Sequence, residues 1–164
     1  MASMFGPLPP VVRLLDAGAG AGALTAAFVL RLCQRNDRVS AVEATLYELD
    51  PLILEALAAT MRECERRCAA AGIRFTFTVH SADFIQDTSA RLADDLFGSM
   101  PLAFDAAIAN PPYRKISTGS AERRALRSVG VETSNLYTGF ISLIQRLLAP
   151  GGQLVGITPR PLRE

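Results

Sequence analysis

The residues with the most distinctive chemistry are Asn110-Pro111-Pro112-Tyr113, directly after the apolar run FDAAIA at Phe104 to Ala109. Two consecutive prolines hold the backbone extended and remove two N–H donors, so the side-chain oxygen of Asn110 and the carbonyl of Pro111 become acceptors aimed at one point. Such a point suits a planar NH2 group. Accepting both hydrogens moves electron density onto a nitrogen that conjugation with its ring leaves poorly nucleophilic. Tyr113 adds a surface on which a base can stack, an interaction worth roughly 1 to 3 kcal/mol, of the order needed to draw a base out of a duplex. The competing reading of the same four residues is a plain Pro-Pro strand terminator.

Three other segments carry groups suited to an adenosine-containing ligand. Asp16-Ala17-Gly18-Ala19-Gly20-Ala21-Gly22 lies between an apolar run and a helical pattern, at the carboxyl end of a strand, where open α/β sheets bind ligands. Its glycines let backbone approach a ligand closely, and the helix that follows favours a negative group at its N-terminus. Gly18, Gly20 and Ala23 also satisfy the relaxed dinucleotide pattern G-x-G-x-x-G/A, and the run fits a simple tight turn as well. Glu48, at the end of the next apolar run, is placed to accept both hydroxyls of a ribose. It stands thirty positions after Gly18, against roughly twenty in dinucleotide folds, which leans away from NAD. Asp50, followed by Pro51, reads instead as an N-cap. Asp83-Phe84 follows a third apolar run, where a carboxylate can accept from an exocyclic amine and an aromatic ring can cover a base; an unrelated surface aspartate is the alternative.

The elements that position these groups alternate. Val11 to Ala17 reads as a strand, Leu24 to Leu32 as a helix, Ala44 to Leu49 as a strand and Leu52 to Ala71 as a helix stopped by Gly72. Ile73 to Val79, rich in β-branched and aromatic residues, predicts a third strand, Ser89 to Phe97 a short helix, and Phe104 to Ala109 a fully buried fourth strand. Leu136 to Leu148 is an amphipathic helix closed by Pro150-Gly151-Gly152, and Gln153 to Thr158 a fifth strand. Strand and helix in alternation imply an α/β fold, an open, mainly parallel sheet with helices on both faces. The chain stops just after a strand, with Pro159 and Pro161 barring an immediate helix, which suggests a fragment or a domain completed by more protein.

With 164 residues, 49% of them hydrophobic, residues 1–164 are long enough for one core and too short for two full domains. Apolar runs are broken by Arg, Asp or Glu before a membrane span can form, and no cleavable leader pattern is present; a soluble, cytoplasmic protein is expected. Cys33, Cys64 and Cys68, with a single His80, match neither a disulfide framework nor a zinc site, so buried or half-buried thiols and no metal are expected. A net charge of +1 gives no global footprint for nucleic acid. Locally, Arg114, Lys115, Arg123, Arg124 and Arg127 outnumber Glu122, which reads either as a contact surface for a polyanion or as a solvated helix face.

Taken together, these motifs resemble the class I S-adenosylmethionine-dependent methyltransferases, and within them the NPPY-type adenine-specific DNA N6-methyltransferases of type II restriction-modification systems. DAGAGAG resembles that family's cofactor loop, YELDP its ribose-binding segment, SADF its adenine-binding segment and NPPY its catalytic motif. Asn135 to Phe140 (NLYTGF) and Pro150 to Arg160 are similar to the helix and strand that back this pocket. The resemblance implies a Rossmann-like fold with S-adenosyl-L-methionine as cofactor. It assigns Asp16, Gly18, Gly20 and Gly22 to cofactor contacts, Glu48 to the ribose, Asp83 and Phe84 to the adenine, and Asn110, Pro111, Pro112 and Tyr113 to the flipped target base in DNA. It also implies that the segment before the first strand, usually a helix, is absent or reduced to Met1 to Pro10, and that the last two strands, the second aromatic residue against the base and the target-recognition domain are not in this sequence. A protein-glutamine methyltransferase, an RNA methyltransferase, an inert cofactor-binding fragment and a nicotinamide oxidoreductase are the alternatives.

Overall fold

The structure, a computed structural model, describes residues 4–34, 38–94 and 103–158. Among them five strands, β1 (Val11–Asp16), β2 (Ala41–Tyr47), β3 (Arg74–His80), β4 (Phe104–Ala109) and β5 (Leu148–Gly156), form one sheet in the order β3-β2-β1-β4-β5. Every pairing is parallel. The helices are α1 (Ala23–Gln34), α2 (Leu54–Ala70), α3 (Phe84–Asp94), α4 (Ala121–Ser128) and α5 (Leu136–Leu147).

Because side chains alternate across a strand, the apolar runs supply both faces of the sheet. Val12, Leu14, Val42 and Leu46 pack under Phe28 and Leu32 of α1 and Leu57 and Met61 of α2. Leu15, Ala107 and Ala109 face Ile85 of α3, Leu126 of α4, and Leu143 and Ile144 of α5. The expected α/β architecture with helices on both faces is therefore present. From β1 the chain steps outward through β2 to β3, returns to β4 on the other side of β1, and continues to β5. The direction of winding reverses between β1 and β4, and the strand ends part there to leave a crevice.

Several boundaries differ from the sequence expectation for identifiable reasons. β2 begins at Ala41, not Ala44, because Ser40 and Ala41 already bond to Pro10 O and extend the ladder toward β1. α3 begins at Phe84, not Ser89: Asp83 Oδ1 accepts the N–H of Gln86 at 2.9 Å and starts the helix five residues earlier, while the expected end at Phe97 lies outside the described residues. Asp50 is not the cap of α2. Its Oδ1 accepts Leu52 N at 2.9 Å in a turn that precedes the helix, and Ile53 holds the capping position without a side-chain bond. Pro150-Gly151-Gly152 does more than close α5. The helix passes into β5 at Leu148, and these residues make a bulge between the pairs Phe104↔Leu148 and Ala106↔Gln153. A Cβ at Gly152 would stand 2.7 Å from Phe104 O, so only glycine fits. α4 was foreseen only as one reading of the basic stretch. Cys64 and Cys68 are buried on α2, as expected, and Cys33 is half-buried.

Register between β1 and β4, the strands flanking the crevice, is fixed by charge. Asp105 Oδ2 accepts Arg13 N at 2.9 Å and Arg13 Nε at 3.1 Å, and Oδ1 accepts Arg13 Nη2 at 3.1 Å. Partial burial alone would raise the Asp105 pKa, but the bonds from Arg13 outweigh it and hold the carboxyl below the usual carboxylate range. A carboxyl whose pKa is lower in the folded chain stabilises it above the unfolded pKa, and that contribution disappears as pH falls through the folded value. Asp105→Asn should therefore cost about 1 kcal/mol near neutral pH, a figure kept small because Arg13 is partly solvated. Urea unfolding of both forms should show the difference close up as acid protonates Asp105 in the folded chain; a gap that persists in acid would rule out the ion pair as its source.

Candidate functional site

The Gly-rich segment leaves β1 and turns over the end of β2. Ala19 N donates to Tyr47 O at 2.9 Å, and Gly22 N closes the turn on Ala19 O at 2.8 Å. Gly20 and Gly22 have φ of 54° and 84°, the left-handed region that glycine enters without a Cβ penalty. A Cβ at Gly22 would also lie 2.8 Å from Met61 Cε, so the start of α1 packs closely on α2. Below the turn, Asp16 is fully buried; its Oδ2 accepts Thr25 Oγ1 at 2.8 Å, while Oδ1 has no hydrogen-bond partner. Desolvation pushes this carboxyl up to about 6 against the opposing pull of Thr25 and the Gly18 amide, and the charge of Glu48 adds to the rise.

Glu48 follows β2 and is held at both oxygens. Oε2 accepts Gly20 N at 2.8 Å and Oε1 accepts Asp50 N at 2.7 Å, so one carboxylate joins the β1 turn to the β2 turn. A carboxylate has about four lone-pair positions, which leaves capacity on each oxygen for a further donor. After β3, Asp83 uses Oδ1 to start α3. Phe84 is not on a loop but is the first residue of α3, buried at 2% exposure, edge-on to Tyr47 and 5.1 Å from Phe140.

Asn110 follows β4 and is exposed, whereas Pro111 behind it is buried. The Tyr113 hydroxyl donates to Ile157 O at 2.7 Å and lies 3.4 Å from Asn110 Oδ1. A phenol carries one proton, and the shorter bond takes it, so the Asn110 oxygen keeps its acceptor capacity. One face of Tyr113 rests near Tyr137, with centroids 5.6 Å apart, and 48% of the residue remains exposed. Beyond Tyr113 the chain pairs back on the entry to α5: Lys115 bridges Asn135, Leu136 N donates to Arg114 O, and Ile116 N donates to Ser134 O.

These strand ends surround a cleft of about 310 Å³. Of the residues singled out in the sequence, Gly18, Gly20, Glu48, Asp83, Phe84, Asn110 and Pro112 line it. Asp16, Gly22 and Pro111 stand behind the wall as supports, and Tyr113 lies outside the lining. The lining also includes Tyr47, Leu49 and Arg114, which sequence reasoning did not assign, and Leu136 and Phe140 from the NLYTGF segment. Tyr47 and Leu49 lie in the YELDP segment, but the strand pattern does not show which face of its end meets a ligand. A Cβ on Gly18 would come within 3.8 Å of Phe140, so the bare backbone there keeps the cleft open opposite that ring.

The basic stretch after NPPY is largely paired within itself. Arg114 meets Glu122 at 3.1 Å, Arg127 and Arg123 both meet Glu132, at 2.8 Å and 3.7 Å, and Arg124 bonds to Gly119 O. Glu122 and Glu132 thus offset part of the positive charge of this stretch, which keeps an excess of basic side chains. Among the described residues no group of acidic, His and Cys side chains is arranged to hold a metal, and no helix is long and apolar enough to cross a membrane.

A parallel sheet wound 3-2-1-4-5, with a glycine turn, an acidic residue and an NPPY segment on successive strand ends, is the fold of a class I methyltransferase. It matches a solved class I S-adenosylmethionine-dependent methyltransferase from Listeria monocytogenes with a TM-score of 0.59 at 20% identity, over 92% of this chain and 40% of that one. Residues 69–162 match the Eco57I restriction-modification methylase family, and the chain belongs to that family. Over 160 residues it is 36% identical to the type II methyltransferase M.PstI of Providencia stuartii, covering 98% of this chain and 31% of the relative. It is 36% identical to the type II methyltransferase M.BsuBI of Bacillus subtilis, covering 90% of this chain and 28% of that protein. A tRNA1(Val) (adenine(37)-N6)-methyltransferase of Pectobacterium carotovorum is 28% identical over 98% of this chain and 55% of its own length. The chain thus spans about a third or less of the type II relatives.

The buried Asp16 gives the site a pH signature. A carboxyl whose folded pKa lies above its unfolded one penalises folding only when charged, so the penalty is absent below about pH 4 and complete above about pH 6. The two values differ by an amount on the order of 3 kcal/mol. Asp16→Asn keeps an acceptor for Thr25 and removes the charge. Chemical unfolding as a function of pH should show the wild-type chain losing stability relative to this variant between about pH 4 and pH 7; parallel curves would mean that Asp16 is solvated or fully bonded.

Proposed function

We propose that the protein to which this chain belongs transfers a methyl group from S-adenosylmethionine to N6 of adenine in DNA, as the modification enzyme of a type II restriction-modification system. The observation that carries the reading is Asn110 on the wall of the same cleft as Glu48 and Asp83, so that a cofactor-sized and an amine-sized group could meet. The residues present suit this cofactor. Asp16, Glu48 and Asp83 make the cleft acidic, and the Arg114 charge on its wall is engaged by Glu122, so a ligand with positive charge is favoured. The thirty positions between Gly18 and Glu48, against roughly twenty in dinucleotide folds, lean away from a nicotinamide dinucleotide. Glycine at 18 and 20 leaves backbone bare where a ligand would lie.

When bound, S-adenosylmethionine supplies an electrophilic methyl group on a sulfonium. Glu48 would hold the ribose hydroxyls with the lone pairs left after its two backbone bonds, and Asp83, together with the ring of Phe84, the adenine. Asp16, Gly18, Gly20 and Gly22 would shape the turn beside the amino-acid end. Asn110 Oδ1 and the Pro111 carbonyl would accept the two hydrogens of the target amine, with Pro112 fixing the backbone and Tyr113 offering its open face to the base. The chain's part is positioning and electrostatic stabilisation, with no covalent intermediate and no metal. Residues 1–164 are taken as a single cofactor-binding core acting in the cytoplasm on duplex DNA with a flipped adenine. Sequence reading is assigned to a target-recognition domain elsewhere in the full protein. A second reading, the same transfer to adenine in RNA, is favoured by the likeness to the tRNA methyltransferase.

Calorimetric titration with S-adenosylmethionine should give saturable binding, weakened about tenfold or more by Glu48→Gln and by Asp83→Asn, variants that keep one acceptor oxygen in place. Binding of NAD instead would overturn the cofactor assignment. In the full-length enzyme, Asn110→Ala should lower methylation by about a thousandfold or more while cofactor affinity is retained. Retained activity would remove Asn110 from the mechanism, and offering duplex DNA and tRNA side by side decides between the two substrates.

A further inference from the structure

The groups assigned to the adenosine end of the ligand come from two separate elements: Glu48 from the end of β2, and Asp83 and Phe84 from the start of α3. Backbone pairing fixes β2 against β3, through Tyr47↔His80 and Glu48 N to His80 O at 3.1 Å. That pairing does not extend to α3, which follows β3 after a short turn.

We infer that Tyr47 is the positioning residue that sets the distance between these two walls, an inference that rests on the S-adenosylmethionine reading of the cleft. Its ring is 4% exposed, stacks on His80 at 4.7 Å and 18°, and meets Phe84 edge-on at 5.2 Å. Its hydroxyl donates to Asp87 Oδ2 at 2.7 Å, one turn into α3. Arg91 Nε holds the same oxygen at 2.9 Å, and Asp87 N donates to Asp83 O at 3.0 Å. A continuous chain of bonds thus runs from the residue beside Glu48, through Asp87, to Asp83. Ring packing is tolerant of small shifts, whereas a hydrogen bond to a carboxylate is steep in distance and angle. The hydroxyl, not the ring, therefore sets how the first turn of α3 stands relative to the end of β2. Burial and the Asp87 acceptor push the phenol up to about 12, so it remains a donor throughout the neutral range.

Tyr47→Phe in the full chain, titrated with S-adenosylhomocysteine and with 5′-methylthioadenosine, tests this. Both ligands contain adenosine and only the first carries the amino-acid end, so both should weaken by the same factor, roughly tenfold. In turnover, the cofactor KM should rise by that factor while kcat at saturation is kept, a split that a merely destabilised fold would not give. Asp87→Asn should reproduce the effect, and the double variant should add little to either single change. Unchanged affinities in both variants, a fall in kcat without change in KM, or full additivity would overturn the inference. Failure of the wild-type chain to bind either ligand would instead overturn the cofactor reading on which it stands.

Discussion

Both oxygens of Glu48 are held by backbone N–H groups, one from Gly20 in the turn after β1 and one from Asp50 in the turn after β2. Much of the site depends on this arrangement. A turn rich in glycine has many accessible conformations and loses more entropy on ordering than an ordinary loop. A charged acceptor on the neighbouring strand end selects one of them, in which Gly20 is left-handed and the bare backbone faces the cleft. The same carboxylate is left with lone pairs toward the space that the turn encloses. One side chain thereby ties two turns together and lines the cleft between them.

The electrostatics of the region follow from how the carboxylates are treated. Among the described residues, Asp16 is buried with one oxygen unbonded, Glu48 accepts from two backbone N–H groups, and Asp83 faces the helix it starts. The nearby arginines face other carboxylates, Glu122 and Glu132 on and after α4. Negative charge is therefore left over at the strand ends, where it favours a cationic ligand. On the other side of the cleft the NPPY segment is braced from three directions: the buried Pro111, the Tyr113 bond to Ile157 O, and the pairing of Lys115 with Asn135 at the entry to α5. Ile157 is in turn bonded through its N–H to Ala109 O, so the segment is tied to the strand from which it leaves.

Much of this was legible in the order of residues. Alternation of apolar runs with helical patterns specified the α/β class, because in a parallel sheet with both faces covered each strand must be apolar throughout. That Gly18, Gly20, Glu48, Asp83 and Asn110 share one cleft was legible because each stands where an apolar run ends, and in a parallel sheet all those ends lie on one edge. The start of α3 was misplaced by five residues because Asp83 was read for ligand chemistry alone, when its side chain also caps the helix. The ion pairs of the basic stretch were only partly legible, since Glu132, which meets Arg123 and Arg127, lies beyond the window in which the charges were counted.

The sequence by itself determined the strands, the glycine turn, the acidic positions and the NPPY segment, since these follow from local periodicity, turn chemistry and the loss of N–H donors at proline. Tertiary structure alone decided the strand order, and with it the crevice between β1 and β4. It also decided which side chains close that crevice. Tyr47, Arg114 and Phe140 are separated by 67 and 26 positions along the chain and share one cavity. The reason is physical: a residue's own neighbours in sequence fix its backbone conformation, whereas the direction and partner of its side chain depend on packing against elements far away in the chain. The bond from Tyr47 to Asp87, spanning forty residues, is of that second kind.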